Sequence, residues 1–260
     1  MNTEIRMLSE LEELRQVADL FAVVWGRTGE PPISSDILRA LSHSGNYVAA
    51  SFADGKMTGG LVGWLGGEPP ENLLMHSHIL GVLPGIEARG IGFDLKQHQR
   101  RWCLDRGVKV MEWTTDPLIR RNVYFNLGKL GADAPEYLVD FYGAMRDQFN
   151  AGDESDRLLI RWRLQSPRAA EHDGDALRAS GADATLTVGP HEEPIPGAAT
   201  SRVLLCQVPD DILAIRRRDP ALAREWRVAL RHALVDALAR GYAISGATRS
   251  GWYVLESGTT

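Results

Sequence analysis

The sequence predicts a mixed α/β fold, and three observations point to this class. Through residue 165 the apolar residues follow the helical and the strand period in turn, in the order ααβββαβαββ. Asp54-Gly55 separates two runs that are rich in strand-forming residues, which is the signal of a β-hairpin. A glycine-rich turn at residues 85–92 then joins a strand to a helix.

Two helices are predicted at the start of the chain. Apolar residues recur at helical spacing over residues 11–24, and Ser9 is the expected N-cap of this helix. A pair of prolines prevents the helix from continuing. A shorter second helix is expected to begin after a cap at Ser34 or Ser35.

The later elements of the first 165 residues follow from the same periodicities and from the glycines and prolines between them. They are a hairpin over 46–67, a strand over 72–85, a helix over 92–107, a strand over 108–117, a helix over 118–131, and strands over 136–143 and 157–165.

Three segments are predicted from these changes of pattern. Residues 1–165 form the first domain. Residues 166–201 are rich in Ala, Gly, Pro, Asp and Glu, with little apolar periodicity, and are expected to connect two parts with at most one short strand. Residues 202–260 are a C-terminal α/β extension with a strand, a helix of about 20 residues and a hairpin. The apolar stripe of this helix must be buried against another surface.

Composition excludes several classes of protein. Hydrophobic residues make up 44% of the 260 residues, and the net charge is −5, so bulk electrostatics do not favour a nucleic-acid partner. Cys103 and Cys206 provide no disulfide framework, which favours a reducing compartment. The sequence contains no apolar run near the roughly 20 residues of a membrane span, and it begins without a secretory signal. We therefore expect a cytoplasmic protein that does not bind membranes or nucleic acid.

The glycine-rich turn has the chemistry of an anion site. Backbone N–H groups at the start of a helix lack partners and favour an anion such as a phosphate. Gly90 and Gly92 remove the side chains that would block these amides, and Arg89 adds a positive charge. The same residues also suit a plain tight turn. The spacing excludes a Walker A loop and does not fit the dinucleotide pattern G-x-G-x-x-G.

The stretch LGVLPGIEARGIGFDLK, residues 80–96, resembles the acyl-CoA loop of the GNAT superfamily of N-acetyltransferases. The matching residues are Val82, Pro84, Arg89, Gly90, Ile91 and Gly92. With its C-terminal extension, the chain is similar to an uncharacterised branch of predicted bacterial acetyltransferases. The resemblance implies a GNAT-like mixed, mostly antiparallel sheet flanked by helices over residues 1–165. It also implies that acetyl-CoA is the acyl donor.

The resemblance implies roles for several residues in binding coenzyme A. The amides of the loop would hold the pyrophosphate, and the strand that ends at Val82 would hold the pantetheine arm. Arg120 opens the next helix, near the expected path of the pyrophosphate or of the adenosine 3′-phosphate. Asn122 and Asn126, in the same helix, would hydrogen-bond the cofactor, or they are polar residues of the helix surface.

Two positions depart from the family's pattern. The first position of the loop motif, usually Gln or Arg, is Glu87. The position of the tyrosine that protonates the leaving thiolate in many relatives is Leu127. Tyr124, three residues earlier on a similar helix face, is the remaining candidate acid.

The strands next to the loop carry the candidate bases. His76 and His78 share one face of their strand, with Met75, Ser77 and Ile79 expected on the other. Histidine titrates near neutral pH and suits general base catalysis. Glu112, on the following strand, is a second candidate for a base or for an orienting acid. No third ligand accompanies the two histidines, so no metal site is expected.

These observations predict an acyltransferase that moves an acetyl group from acetyl-CoA to a primary amine of a small molecule, by direct attack in a ternary complex. A second hypothesis is a catalytically weak CoA-binding or regulatory module, which the departures at Glu87 and Leu127 motivate. A third is a loop for another phosphorylated ligand, such as a nucleotide. The long C-terminal helix would either cover the acceptor side of the sheet or form the interface of a homodimer.

Overall fold

The computed structural model describes residues 3–27, 30–68, 71–86, 89–145, 152–166 and 172–258. These residues divide into two compact units. The first contains the described residues up to Trp113 together with Arg163–Gln165, and the second contains the others.

The first unit is a sheet with helices on both faces. Its elements are β1 (Thr3–Met7), α1 (Leu11–Val24), α2 (Ser35–His43), β2 (Tyr47–Ala53), β3 (Lys56–Glu68), β4 (Asn72–Val82), α3 (Ile91–Leu104) and β5 (Val110–Thr115), whose last two residues belong to the second unit. The strand order is β1-β2-β3-β4-β5. Every pair is antiparallel except β4 and β5, which run parallel. The predicted mixed, mostly antiparallel sheet flanked by helices is therefore confirmed.

Successive side chains of β2 point to opposite faces of the sheet, and each face is covered by different helices. Val48 belongs to the apolar cluster that α1 and α2 form on one face of the sheet. Its neighbour Tyr47 points the other way, where its hydroxyl lies 2.7 Å from Nδ1 of His98 on α3. Helix α3 therefore covers the face opposite to α1 and α2.

The start of the chain differs from the prediction. Strand β1 precedes α1, and its short sequence gave no strand signal of its own. The predicted cap at Ser9 is wrong, because α1 is preceded by Glu10 and no side chain caps it. The cap at Ser34 is confirmed, since its hydroxyl accepts the N–H of Ile37.

The second unit contains a second run of strands and the longest helix. Its elements are α4 (Arg120–Val123), a π-helical segment (Tyr124–Lys129), β6 (Asp133–Leu138), β7 (Arg157–Arg163, of which Arg163 belongs to the first unit), α5 (Gly174–Ala179), β8 (Asp183–Val188), β9 (Pro194–Pro196), β10 (Val203–Gln207), α6 (Ile212–Arg218), α7 (Pro220–Ala239), β11 (Tyr242–Ala247) and β12 (Trp252–Ser257). The strand order is β7-β6-β11-β12-β10-β8-β9.

Several elements of this unit correct the sequence prediction. The connecting region 166–201 contains helix α5 and strand β9 in addition to the one strand that was expected. The strand predicted over 136–143 begins and ends earlier, as β6. The predicted C-terminal helix of about 20 residues is α7, but a separate short helix, α6, precedes it. The two are divided at Asp219, whose carboxylate accepts two N–H groups of the first turn of α7. The boundaries proposed for the three segments stay a prediction.

The apolar stripe of α7 is buried within its own unit. Helix α7 packs against β6, β8, β9, β10 and β11. The buried residues of this helix are Ala223, Trp226, Arg227, Leu230, Leu234 and Ala237. A homodimer stays a prediction, and the stripe does not have to provide its interface. No helix in the described part of the chain is long and apolar enough to cross a membrane.

Candidate active site

Strands β4 and β5 separate soon after they pair. Their parallel pairing joins Met75 to Met111 and His76 to Glu112. Beyond these two pairs, β4 continues to Val82, and within the described residues its backbone has no partner on the β5 side. We call this opening the fork. It exposes a strand edge to which an extended ligand can hydrogen-bond.

A β-bulge lies at the closed end of the fork. Val62 pairs with Ile79 and Gly63 pairs with Ser77, so His78 is an extra residue in β4. The bulge reverses the alternation of the strand: Ser77 faces α3, whereas Ile79 joins the cluster of α1 and α2. The prediction that Ser77 and Ile79 share a face is therefore wrong.

The glycine-rich turn ends at the open end of the fork. Gly90 is the N-cap of α3 with φ of +83°, a conformation that favours glycine, and no side chain caps the helix. The backbone N–H groups of Ile91 and Gly92 have no acceptor among the described residues. A Cβ on Gly92 would lie 3.7 Å from Leu80 and 3.9 Å from Val82, so the helix begins close to the end of β4.

Other residues of the predicted loop lie beside these amides. Arg89 precedes the helix, and its N–H donates to the carbonyl of Ile86 at 3.1 Å. Val82 is half-buried at the end of β4. Glu87, which departs from the family pattern, lies outside the described residues. The start of α3 therefore offers an anion two donors that lack an acceptor within the described residues, together with the positive end of a helix dipole.

The candidate bases cluster on the face of the sheet opposite to α3. The rings of His76 and His78 lie 5.6 Å apart, and each lies within 5 Å of the Trp64 ring, at 4.8 and 4.6 Å. Glu112 is the direct neighbour of His76 across the fork's last pair. The structure thus brings together three of the four predicted catalytic residues.

The surroundings of the two histidines keep them neutral. Burial lowers the pKa of His76 below its ordinary value; a protonated Lys96 would lower it further, and Glu112 opposes the shift. Desolvation against neighbouring rings lowers the pKa of His78 to about 4, with a contribution from His76. A neutral imidazole has the lone pair that a general base requires.

A polar cluster faces α3 at the same end of the fork, and sequence reasoning missed it. The Nζ atom of Lys96 donates to the Ser77 hydroxyl at 2.8 Å, and that hydroxyl donates to Oε1 of Gln99 at 2.7 Å. Nζ also lies 3.4 Å from the centroid of the Trp113 ring. A lysine inside a helix reads as a solvent-exposed residue, and only its spacing from Gln99 and Cys103 places it on the buried face.

Three solved structures that match part of this chain are acetyltransferases. The ribosomal-protein-S18-alanine N-acetyltransferase of Escherichia coli is 13% identical, and the match covers 66% of this chain and 100% of that chain with a TM-score of 0.51. Arabidopsis thaliana Naa50, in complex with the bisubstrate analogue CoA-Ac-MVNAL, is 14% identical; the match covers 62% of this chain and 98% of that chain, with a TM-score of 0.51. An acetyltransferase of the GNAT family from Streptococcus pneumoniae is 12% identical; the match covers 62% of this chain and 98% of that chain, with a TM-score of 0.50.

This chain has the GNAT fold. At these identities the similarity concerns the fold. No protein-family model matches the sequence, and no curated protein matches it either. The function of this chain is therefore inferred from the fork and from the amides at the start of α3.

The remaining predicted residues of the GNAT-fold chain lie in the second unit. Arg120 donates to the carboxylate of Asp210 and to the carbonyl of Arg249. To bind a phosphate, Arg120 would have to give up these protein partners. Asn122 is half-buried and Asn126 is buried, so the second is not a residue of the helix surface.

Tyr124, the fourth predicted catalytic residue, begins the π-helical segment of the second unit. Its hydroxyl accepts a hydrogen bond from Nε of Arg249 at 3.0 Å, and the same guanidinium lies over its ring. Leu127, at the position where many relatives have a tyrosine, is buried. Single π-helical turns frequently occur at functional sites. The role of Tyr124 as an acid stays a prediction.

A buried ion-pair network occupies the core of the second unit. Asp116 accepts hydrogen bonds from Arg216 at 2.7 Å and from Arg227 at 3.0 and 3.2 Å, and Asp153 binds the same two arginines. Asp116 also accepts the N–H of Leu118. The arginines at 216–218 suggest a solvated helix end from sequence, but the side chain of Arg216 is buried and paired.

Proposed function

We propose that this protein is an acyltransferase that moves an acetyl group from acetyl-CoA to a primary amine. The observation that carries the proposal is the fork of β4 and β5, with free amides at its open end and neutral imidazoles at its closed end. The GNAT fold of the chain supports it. The amine is expected on a small molecule, and the net charge of −5 favours a cationic one.

The proposed reaction begins with binding of the donor. The pyrophosphate of coenzyme A would accept hydrogen bonds from the amides of Ile91 and Gly92, with the charge of Arg89 nearby. The pantetheine arm contains amide groups, and these would pair with the open edge of β4 as an added strand does. Val82 would contact the arm where it enters the fork. The thioester would then lie at the closed end.

The second step is the transfer itself. An amine attacks a thioester only when it is neutral, so a base must remove the proton of the ammonium form. His76 is neutral and would accept that proton, and the carboxylate of Glu112 beside it would stabilise the imidazolium that forms. His78 is a second base on the same face. Direct attack needs no covalent intermediate on the protein.

A CoA-binding or regulatory module is the second candidate function. The observation in its favour is that the hydroxyl of Tyr124 is bound to Arg249 and that Leu127 replaces the usual tyrosine. Such a protein would keep the amides of α3 and the fork but would lack an efficient acid for the leaving thiolate.

Two measurements on the wild-type protein distinguish these functions. Calorimetric titration with CoA and acetyl-CoA, with ATP as competitor, should show binding of both thiol carriers and little competition by ATP. Thiol release from acetyl-CoA is then followed against a panel of polyamines, aminoglycosides, amino acids and peptide N-termini. Release that depends on one class of amine supports the transferase. Tight binding without release on any amine supports the binding module, and preference for ATP contradicts both.

A further inference from the structure

Lys96 occupies the closed end of the fork, on the side of α3. Its side chain is 2% exposed, and its Nζ atom contacts both strands. On β4 it donates to the hydroxyl of Ser77, and on β5 it lies over the Trp113 ring and 3.8 Å from the sulfur of Met111. Ser77 and Trp113 are the first residues beyond the last pair of the two strands. Lys96 therefore bridges the fork at its vertex.

The burial of this amine is not balanced by a carboxylate. In the described part of the chain Lys96 forms no salt bridge, and burial lowers its pKa well below the ordinary value. Among the described residues, the charge of Lys96 acts on the buried thiol of Cys103 on α3 and on His76, whose ring lies on the other face of β4. Glu112 pairs with His76 on that other face. Burial raises the pKa of Cys103 to about 12, so its thiol stays neutral. Burial therefore favours the neutral form of the Lys96 amine over its ammonium form.

The chain of hydrogen bonds that begins at Lys96 ends at a donor without an acceptor in the described part of the chain. Lys96 donates to Ser77 and Ser77 donates to Gln99, whose buried Nε2 has no acceptor among the described residues. Residues that only stabilise a core usually satisfy such buried donors. Here the cluster lies at the point where β4 and β5 separate and the open edge of β4 begins.

Distances along the backbone bring the thioester of a bound donor to Lys96. Five residues of α3 separate Ile91 from Lys96, which is about 7.5 Å along the helix axis. Five residues of β4 separate Val82 from Ser77, which is about 16 Å along the strand. A carrier held by its phosphates at the start of α3 and extended along β4 would therefore place its far end near Nζ of Lys96.

We propose that Lys96 is a catalytic residue that carries a proton from the attacking nitrogen to the departing sulfur; this rests on the acyl transfer proposed above. When the amine has formed its C–N bond, nitrogen and sulfur are attached to the same carbon, so one amine can reach both. The lone pair of Nζ accepts a proton from the cationic nitrogen of the adduct. As the C–S bond breaks, the ammonium of Lys96 returns that proton to the sulfur, which leaves as a thiol.

The proton balance assigns different steps to His76 and Lys96. His76 removes the first proton, from the ammonium form of the free acceptor, and passes it to water. Lys96 moves the second proton between two atoms of the adduct and is neutral again at the end. The products are an amide and CoA in its thiol form.

The first test measures the thiol of bound CoA in the wild-type protein. Thiolate absorbance is followed against pH for free CoA and for the complex. A shuttle exchanges this proton with the sulfur in both directions. We therefore expect part of the bound thiol to be ionised at pH values below its ordinary pKa of about 8.5. A bound thiol that titrates at or above the value of free CoA overturns the role of Lys96 alone. The absence of any CoA binding overturns the proposed function together with it.

The second test uses Lys96→Met, which keeps the length of the side chain, with Lys109→Met as a matched control at the start of β5. We expect Lys96→Met to bind CoA within about twofold of the wild type and to lower kcat by about 100-fold or more, the usual contribution of proton transfer. The shift in the bound thiol's pKa should disappear. An unchanged kcat, or an acetyl group found on Lys96 by mass spectrometry after incubation with the donor, would show that the lysine is not a shuttle.

Discussion

Buried charge is treated in opposite ways in the two units. In the second unit, Arg227 is almost fully buried, and each of its charged neighbours completes a pair. In the first unit, Lys96 is about equally buried, and within the described residues its Nζ atom contacts a hydroxyl, a sulfur and an aromatic ring but no carboxylate. Paired charges hold a core in one arrangement, whereas an unpaired buried amine reduces stability and is available for chemistry.

The largest expected effect comes from breaking the paired network. Arg227→Met removes one of the two arginines that bind Asp116 and Asp153, so Arg216 alone is left for two buried carboxylates. We expect the free energy of unfolding to fall by about 3–5 kcal/mol, as for other broken buried pairs. Urea denaturation measures this change. Arg224→Met, on the exposed side of the same helix, should change it by less than about 0.5 kcal/mol. Equal effects of the two variants would contradict a structural role for the network.

The next effect concerns the base. His76→Gln should lower kcat by roughly 100-fold or more, since it removes the general base. The pKa of His76 is lowered, so in the wild type the neutral form dominates at neutral pH and the rate should fall only as pH drops below about 6.5. The variant should lack this acid limb. His43→Gln, at the exposed end of α2, is the control. A wild-type acid limb that persists in His76→Gln would move the role to His78 or Glu112.

A smaller effect of opposite sign is expected for the stability of Lys96→Met. The pKa of buried Lys96 is lowered, so the folded state binds fewer protons there than the unfolded state does. The lysine therefore destabilises the fold below its ordinary pKa of about 10.5, and this penalty vanishes as pH rises to that value. Lys96→Met should raise the free energy of unfolding by about 1 kcal/mol or more at pH 7, as replacements of buried charges often do.

Urea denaturation of this variant and the wild type between pH 7 and 10 checks that sign. The advantage of Lys96→Met should shrink as pH rises. Together with the loss of kcat, this result would show a residue that is kept for activity at the expense of stability. A destabilised variant at every pH would instead place Lys96 with Arg227 among the structural residues.

Sequence reasoning found the parts of the site that depend on local pattern. Gly90 and Gly92 mark the turn because glycine alone suits a left-handed N-cap and bare amides. His76 and His78 were placed on one face because a strand alternates with period two, and the structure brings their rings together. These features need only a few neighbouring residues, so a single sequence carries them.

Features that depend on the pairing of strands could not be predicted from a local sequence pattern. The bulge at His78 arises because β3 offers one residue fewer than β4, and that count is visible only once the register is known. The bulge puts Ser77 and Ile79 on opposite faces of the sheet, and Ser77 is the one that faces Lys96. The buried position of Lys96 was missed for the same reason, since helical propensity treats lysine as a surface residue. The Arg227 network likewise joins residues more than 70 positions apart.

One measurement tests the central claim, that the bare amides at the start of α3 hold the pyrophosphate of the donor. Gly90 precedes α3 and Gly107 follows it, with similar positive φ of +83° and +75°. A Cβ on either would meet no atom of the described residues within 4 Å. Gly90→Val and Gly107→Val therefore carry similar backbone strain, but only the first places a side chain beside the amides. Calorimetric titration with CoA should show binding weakened by about tenfold or more in Gly90→Val, equivalent to about 1.4 kcal/mol, and near wild-type affinity in Gly107→Val. Equal affinity in both variants would contradict the account.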